Sequence, residues 1–169
     1  YLEIPEGVKV SIKARKVTIT GPRGKIVKDL SHTSIDMRVM KMATKKMNGL
    51  YVRIQMWNGG YKQACAVTTF KSLINNMMIG TTEGFRYKMR LVHAHFPIGA
   101  IISKDQKQIE IKNFLGGKRS HLINLYEGCT VRLSKEVKDE LIFDGIDNAL
   151  VSLCCARVNQ VCKIGDKDE

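Results

Sequence analysis

Two histidines separated by one residue are the best candidates for metal chemistry in this sequence. On a β-strand, His93 and His95 would present both imidazoles on one face, which is how a site with two histidine ligands can begin. No nearby Asp, Glu or Cys completes the coordination at a familiar spacing. We therefore expect solvated or stacked histidines here, and no metal.

Motifs for covalent or nucleotide chemistry are equally weak. The sequence contains no nucleophile motif and no zinc-deaminase signature. The segment 116–118 is glycine-rich and basic, but it lacks the earlier glycine and the Ser or Thr of a nucleotide-binding loop. We therefore predict no catalytic residues, no cofactor and no small-molecule substrate, and we expect that the protein is not an enzyme.

An excess of positive charge is the more informative signal. Lys and Arg total 28 against 16 Asp and Glu, which gives a formal net charge of +12. Because such charges repel one another unless a polyanion is near, the excess favours an anionic partner: nucleic acid, an acidic membrane surface or an acidic protein. A bland basic surface is the alternative. Since no apolar run approaches the roughly 20 residues of a membrane-spanning helix and no basic leader precedes an apolar segment, we expect no signal peptide and no membrane partner.

Cysteine usage favours a reducing compartment. The 5 cysteines are an odd number, and none belongs to a Cys-x-x-Cys pair. We interpret them as reduced, small core residues, as is typical of cytoplasmic proteins.

Several basic and aromatic clusters meet the needs of RNA binding, which are cations for the phosphates and rings on which unpaired bases stack. Arg86, Lys88 and Arg90 alternate along a predicted strand and would form a basic stripe about 14 Å long. A glycine-rich loop at 57–62 carries aromatic rings and a lysine at the start of a predicted helix, whose amino end attracts phosphate. Residues 41–46 are a basic loop of the kind that becomes ordered on RNA. The predicted RNA-binding residues are Arg23, Lys25, Lys45, Lys46, Trp57, Tyr61, Lys62, Arg86, Lys88, Arg90, His95, Lys118, Arg119 and His121.

The elements that must position these residues follow from hydrophobic periodicity. In the first half, alternating apolar residues predict strands at 8–12, 17–19, 35–39 and 50–57. Segment 21–24 is a turn with a basic tip, and Asn48-Gly49 is a hairpin turn signal. An amphipathic helix is predicted from residue 62 to residue 79, closed by Gly80.

The second half repeats this theme. A long strand is predicted at 85–96, followed by short strands at 109–111, 131–133 and 141–143. A final helix presents Val151, Cys154, Val158 and Val161 on one face. Asp147 or Asn148 is the expected cap at its start.

A sequence similarity between the two halves of the chain suggests duplication. Segment 6–12 matches 127–133 in pattern at an offset of 121, and 17–21 matches 141–145 at an offset of 124. A competing register pairs 4–7 with 96–99. We favour an α+β fold of two similar duplicated domains, 1–82 and 83–169, each a mostly antiparallel sheet packed against one amphipathic helix.

A long central stretch, 84–98, closely resembles one ribosomal family. This is the universal large-subunit ribosomal protein L-six family, called L-nine in eukaryotic nomenclature, and the resemblance extends almost end to end. Further stretches that carry it are 4–8, 21–24, 76–80, 113–116, 138–142 and 150–152. The resemblance implies a basic tail past the last helix, which residues 165–169 do not match, so either the tail is divergent or this sequence is incomplete.

The resemblance implies two duplicated α+β domains in a structural ribosomal protein. It also implies binding to large-subunit ribosomal RNA near the elongation-factor-binding region, with the second domain close to the sarcin–ricin part of that RNA. Neighbouring ribosomal proteins and passing translation factors are the other implied partners. The rival functions are an RNA-modifying enzyme, which needs an acid–base pocket, and a membrane-surface or acidic-protein binder, which needs a basic amphipathic helix.

Overall fold

The computed structural model describes residues 1–44 and 47–164, and the chain divides into two compact units, Tyr1–Gly84 and Phe85–Glu169. Within the described residues, each unit contains two 3-stranded antiparallel sheets and one α-helix. This is the α+β class, with a repeated sheet-and-helix unit, that the sequence predicts. No helix in this part of the chain is long and apolar enough to cross a membrane.

The first unit is built from two sheets, of order β2-β3-β4 and β1-β6-β5. Its elements are β1 (Leu2–Glu3), β2 (Lys9–Lys13), β3 (Lys16–Gly21), β4 (Gly24–Asp29), β5 (Asp36–Thr44), β6 (Met47–Gln55) and α1 (Tyr61–Thr82). The predicted strands around 8–12 and 17–19 are confirmed as the antiparallel pair β2 and β3. The basic turn is confirmed as well, because Gly21 and Gly24 close the hairpin between β3 and β4.

Strand β3 packs closely against α1. Val17 and Ile19 are completely buried, since alternate residues of a strand face the same side. Helix α1 packs against this strand, and its Ile74 is completely buried too. At the end of β3, a Cβ on Gly21 would lie 2.7 Å from the carbonyl oxygen of Thr81. Only glycine permits this approach of strand and helix without a shift of one of them.

Helix α1 continues through Gly80, so the predicted end was wrong. Gly80 is buried inside the helix. The helix ends instead at Thr82, just before Gly84, whose φ is 82° and whose backbone N–H donates to the carbonyl of Ile79 at 3.1 Å. A left-handed glycine just past the last turn is the usual helix stop, and the sequence offered two glycines within reach of that role.

The hairpin of β5 and β6 does not turn at Asn48-Gly49, as was predicted. The strands pair from Asp36 opposite Gln55 to Thr44 opposite Met47, which places Gly49 inside the ladder opposite Met42. The register is set by burial of core residues rather than by local turn propensity. Residues 41–44 are therefore strand and not the predicted loop, while Lys45 and Lys46 lie outside the described residues.

The second unit contains sheets of order β11-β12-β7 and β10-β9-β8. Its elements are β7 (Phe85–Arg90), β8 (Gly99–Ile102), β9 (Gln108–Lys112), a 3-10 turn at Phe114–Gly116, β10 (His121–Asn124), β11 (Cys129–Leu133), β12 (Glu140–Gly145) and α2 (Asn148–Val161). The strands predicted at 109–111, 131–133 and 141–143 are confirmed. Asp147 is confirmed as the cap of α2, where its carboxylate accepts a hydrogen bond from the N–H of Ala149 at 3.1 Å.

The long strand predicted at 85–96 ends at Arg90. Its partner β12 begins at Glu140, directly opposite Arg90, so no backbone remains to pair with the following residues. The chain then leaves the sheet, and Leu91 donates its N–H to the carbonyl of Asp139 at 2.8 Å. His93 and His95 consequently lie in irregular backbone and not on one face of a strand.

The core of the second unit lies between β12 and α2. Phe143 and Val151 are completely buried, whereas Val161 at the end of α2 is exposed, contrary to the predicted face. Burial raises the pKa of the Cys129 thiol to about 12 and that of Cys155 to about 11. These unpaired core thiols match the interpretation from sequence, but Cys65, on the surface of α1, does not.

Two similar turns account for the match at the offset of 121, but the order of the strands and helices supports the competing register. Gly7 and Gly128 both have positive φ, 83° and 79°. The N–H of Val8 donates to Pro5, and the N–H of Cys129 donates to Tyr126, at 3.3 and 3.2 Å. Gly99, the equivalent of Gly7 in the other register, is not among the glycines with positive φ.

The elements of the second unit follow the same chain order as those of the first. In sheet order, β7-β12-β11 corresponds to β1-β6-β5, and β8-β9-β10 corresponds to β2-β3-β4, with the helix last in each unit. Leu30 and Leu125 mark the same corner, because they directly follow the equivalent strands β4 and β10. Each donates its backbone N–H to the carbonyl of the residue just before the central strand of its sheet, Arg15 before β3 at 3.1 Å and Lys107 before β9 at 2.9 Å.

Candidate nucleic-acid interface

The outer face of the sheet β11-β12-β7 carries the predicted basic stripe. Arg86, Lys88 and Arg90 are exposed, and they alternate with Tyr87 and Met89, which pack toward the core. Among the described residues, Lys88 and Arg90 have no side-chain hydrogen bond or ion pair. The stripe therefore offers free cations on a rigid strand.

Asp144, in the centre of this face, forms ion pairs with two arginines. Its carboxylate lies 2.7 Å from Nε of Arg86 and 3.3 Å from Nε of Arg132. The hydrogen bond from Arg86 to Asp144 raises the pKa of that guanidinium above its already high ordinary value. Since arginine is charged in any case, the effect of the carboxylate is to orient the two guanidiniums and to cancel part of their charge.

Arg132 was not among the residues predicted from sequence. It stands on β11, and only the register of β11 with β12 brings it beside Asp144. The alternation of Val131 with exposed neighbours indicates which face Arg132 takes, but no local pattern indicates its partner.

A second basic face lies in the first unit, on β2-β3-β4. Lys25 was predicted from sequence, but the lysines of β2 and β3 were missed. Lys25 and Lys9 stand opposite Thr20 from either side, so a neutral hydroxyl lies between these two cations, whereas a carboxylate lies beside Arg86 and Arg132 in the second unit. The exposed cations of the β2-β3-β4 face are Lys9, Lys13, Lys16 and Lys25.

One carboxylate, Asp29, lies at the edge of this lysine face. Its oxygen is 3.3 Å from Nζ of Lys16, and it accepts a hydrogen bond from the N–H of Ser31 at 2.9 Å. Hydrogen bonds from Ser31, and then from Lys16, lower the pKa of Asp29 to about 2. The predicted Arg23 is exposed at the adjacent hairpin tip.

The predicted residues after β7 gather at one end of the second unit. The ring of Phe96 packs on the 3-10 turn, where a Cβ on Gly116 would lie 3.0 Å from it, and the side chain of Asn113 donates to the carbonyl of Pro97 at 2.9 Å. His95 is exposed and contacts the Phe96 ring, with 4.1 Å between ring centroids. The turn leads directly into exposed Lys118 and Arg119, and then to half-buried His121.

The two histidines considered for a metal point to different neighbours. Nε2 of His93 lies 3.9 Å from a carboxylate oxygen of Asp139, whereas His95 contacts Phe96. Across residues 1–44 and 47–164, no group of three or more His, Cys, Asp and Glu side chains is arranged to hold a metal ion.

The predicted aromatic loop before α1 is open to solvent. Trp57 is 72% exposed and Tyr61 is 86% exposed, so neither ring is tucked against the sheet. Gly60 caps α1 without a side-chain hydrogen bond, and the first turn contains no acidic residue. Exposed Lys62 adds a positive charge at this helix end, which is already positive because of its free N–H groups.

Comparison with known proteins gives a consistent result. A family model described as ribosomal protein L6 matches residues 4–84. The large ribosomal subunit protein uL6 of Candida albicans is 46% identical over 169 residues, which cover 99% of this chain and 85% of that protein. Similar relatives are the uL6A protein of Schizosaccharomyces pombe, 43% identical over 99% of this chain and 84% of its own length, and the uL6 protein of Tetrahymena thermophila, 36% identical over 98% and 84%.

Proposed function

We infer that this chain, which belongs to the ribosomal protein L6 family, is a structural constituent of the large ribosomal subunit. Proteins of this family are non-enzymatic components of the ribosome, and the chain accordingly acts in cytoplasmic ribosomes during translation. Its partners are ribosomal RNA and other ribosomal proteins.

The finer proposal is that the protein binds ribosomal RNA through the outer faces of two sheets, one in each unit. The observation that carries it is that each unit turns a rigid strand face rich in exposed cations to solvent, on β2-β3-β4 in the first unit and on β11-β12-β7 in the second. Phosphate contacts need cations at fixed spacing, and they supply affinity without base specificity. The predicted residues retained for this role on strands and turns are Arg23, Lys25, Arg86, Lys88, Arg90, Lys118 and Arg119, with Lys45 and Lys46 beyond the described residues.

Rings near the ends of the two units are proposed to stack on exposed bases. Trp57 and Tyr61 in the first unit are supported by their exposure, and His95 in the second by its position on the exposed Phe96 ring. Lys62 and His121 would supply adjacent polar contacts. Stacking of this kind suits the unpaired bases of folded RNA.

The salt dependence of binding tests the electrostatic part of this proposal. We expect the affinity of the full chain for large-subunit RNA to fall steeply with salt, because each phosphate contact releases a bound cation. The double substitution Lys88→Glu and Arg90→Glu should weaken filter binding and flatten the salt slope by about 2 units. Lys104→Glu with Lys107→Glu, an equal charge change in the exposed turn between β8 and β9, is the control. A flat salt response of the wild-type chain would refute the proposal.

Proximity of the second unit to the sarcin–ricin region, where elongation factors bind, is proposed from the family resemblance. Directed hydroxyl-radical cleavage from an iron chelate on Lys118→Cys, in a chain lacking Cys65, should cut that region in assembled subunits. The same chelate on Cys65 of the otherwise unchanged chain probes the first unit and should cut elsewhere. Cleavage of the sarcin–ricin region from Cys65 alone would contradict this orientation.

A further inference from the structure

A separate cationic cleft lies on the other sheet of the first unit, and no residue of its charged pair was predicted from sequence. Arg38 of β5 and Arg53 of β6 are directly opposite each other in the register, so both project from the same face. Asp36 and Gln55 form the next pair on that face. With Trp57, these side chains line one cleft.

The two arginines of the cleft differ in their partners. Nε of Arg38 lies 3.3 Å from the Asp36 carboxylate, to which the amide of Gln55 also donates at 3.4 Å. Arg53 has no side-chain hydrogen bond or ion pair with any described residue. Asp36 therefore neutralises one guanidinium and leaves the other with unused donors.

Repulsion between Arg38 and Arg53, which lie opposite each other in the ladder, destabilises the sheet, and a bound anion would remove this repulsion. Two cations directly opposite each other in antiparallel strands destabilise the pair. A phosphate between the guanidiniums would accept hydrogen bonds from both, and arginine suits this role because its planar donors match phosphate oxygens.

The exposed ring of Trp57 favours a nucleotide over other anions as the ligand of this cleft. Its ring is 72% exposed and borders the cleft, although a large aromatic side chain is normally buried in a protein of this size. A nucleobase can cover such a ring by stacking, while a carboxylate-rich peptide or a bare phosphate has no flat surface to offer.

We propose that Arg38, Arg53 and Trp57 bind one unpaired nucleotide of RNA, with its phosphate on the guanidiniums and its base on the indole. The proposal rests on the RNA-binding function proposed above. It assigns to the first unit a contact with single-stranded RNA, distinct from the phosphate contacts of the lysine face.

Fluorescence can test this site directly, because the chain contains 1 tryptophan. We would titrate the full chain with a short oligoadenylate, a paired RNA of equal length, inorganic polyphosphate and polyglutamate at one ionic strength. Stacking should quench the emission of Trp57 on addition of oligoadenylate only. Polyphosphate should compete with the oligoadenylate without quenching, since it reaches the arginines but has no base.

Substitutions then separate the roles of charge and ring. Arg53→Gln should raise the oligoadenylate concentration at half-quenching by about three- to tenfold, since one charge-assisted phosphate contact is lost. Lys104→Gln, which removes the same charge from an exposed turn of the second unit, should leave this concentration nearly unchanged. Trp57→Ala should weaken oligoadenylate binding by about tenfold or more in a filter assay, while Trp57→Phe retains most of it.

The alternative outcomes are distinguishable. Retention of large-subunit RNA on filters with no quenching by oligoadenylate would overturn this site and leave the proposed function intact. Loss of both signals would overturn both proposals. Equal quenching by polyglutamate, polyphosphate or paired RNA, or equal effects of Arg53→Gln and Lys104→Gln, would also exclude the nucleotide site.

Discussion

The two basic sheet faces of this protein are both three-stranded and antiparallel, but they hold their charges differently. In the first unit, lysines surround a row of hydroxyl side chains that includes Thr20. In the second unit, Asp144 forms ion pairs with Arg86 and Arg132 in the middle of the sheet. Lys9 and Lys25 are thus free to adapt to phosphate positions, whereas Arg86 and Arg132 are held in place before RNA arrives.

The two helices differ in a similar way. Helix α1 is buried only from Ile74 onward, and its first half is largely open to solvent. Helix α2 places buried residues from Val151 to Val158 against its sheets. A fold can therefore be duplicated while one copy keeps an exposed helix end that remains available for contacts.

The largest expected difference between the units concerns thiol reactivity. We expect Cys65 of α1 to be alkylated by iodoacetamide at pH 8 at least about a thousandfold faster than Cys129, Cys154 and Cys155, which react only when the second unit opens. Burial also raises the pKa of Cys129 and Cys155, which lowers their thiolate fraction further. Mass spectrometry of timed samples measures the rates. Chain unfolded in denaturant, in which all the thiols should react alike, is the control, and equal rates in the native chain would show that α2 opens as freely as the exposed half of α1.

The next difference lies in how tightly strand and helix approach in each unit. Gly21→Ala should destabilise the first unit by about 3 kcal/mol, because the new Cβ meets the backbone of Thr81. Gly145→Ala should cost the second unit about 1 to 2 kcal/mol, since its nearest neighbour is a side-chain methyl group of Val151.

Hydrogen exchange of the α1 and α2 amides in denaturant measures these two free energies separately. Gly99→Ala is the matched control, because its Cβ would make only ordinary contacts, 3.8 Å from Lys112. A larger loss for Gly145→Ala than for Gly21→Ala would mean that the valine is held more rigidly than the helix backbone.

Hydrophobic periodicity was sufficient to predict a strand wherever one of its faces is buried and the other is exposed to solvent. It predicted the buried face of Val17 and Ile19, and the exposed face of Arg86, Lys88 and Arg90. Strand ends and turns depend instead on the partner strand: β7 stops where β12 begins, and the ladder of β5 and β6 overrides Asn48-Gly49.

The candidate site was predictable only in part, for a related reason. Charge and spacing indicate which side chains face solvent, but a contact such as Arg132 with Asp144 exists only once the register is known. The same holds for Arg38 and Arg53, which are far apart in sequence and opposite each other in the sheet.

Exchanging the central residues of the two faces would test whether Asp144 restrains RNA binding. Asp144→Asn frees Arg86 and Arg132, so we expect the salt slope of RNA binding to steepen by about 1 unit, with a stability loss of at most about 1 kcal/mol. Thr20→Asp places a carboxylate between Lys9 and Lys25 and should flatten the slope by a similar amount. Filter binding at several salt concentrations provides the slopes. If neither variant changes the slope, these faces do not carry the phosphate contacts.

The smallest expected effect is a pH dependence confined to the first unit. Asp29 lies at the end of β4, and hydrogen bonds from Ser31 and then from Lys16 lower its pKa from 3.8 to about 2. A depressed carboxyl pKa contributes stability that is present above about pH 4 and is lost as the pH falls toward 2. The protection of the β3 and β4 amides, measured relative to their intrinsic exchange rate at each pH, should therefore fall over this interval more in the wild-type chain than in Asp29→Asn, while the sheet β11-β12-β7 responds equally in both. Because hydrogen bonds from Ser31 are the largest cause of the lowered pKa, most of the difference should persist at high salt. A difference that disappears there would assign the effect to the ion pair with Lys16 instead.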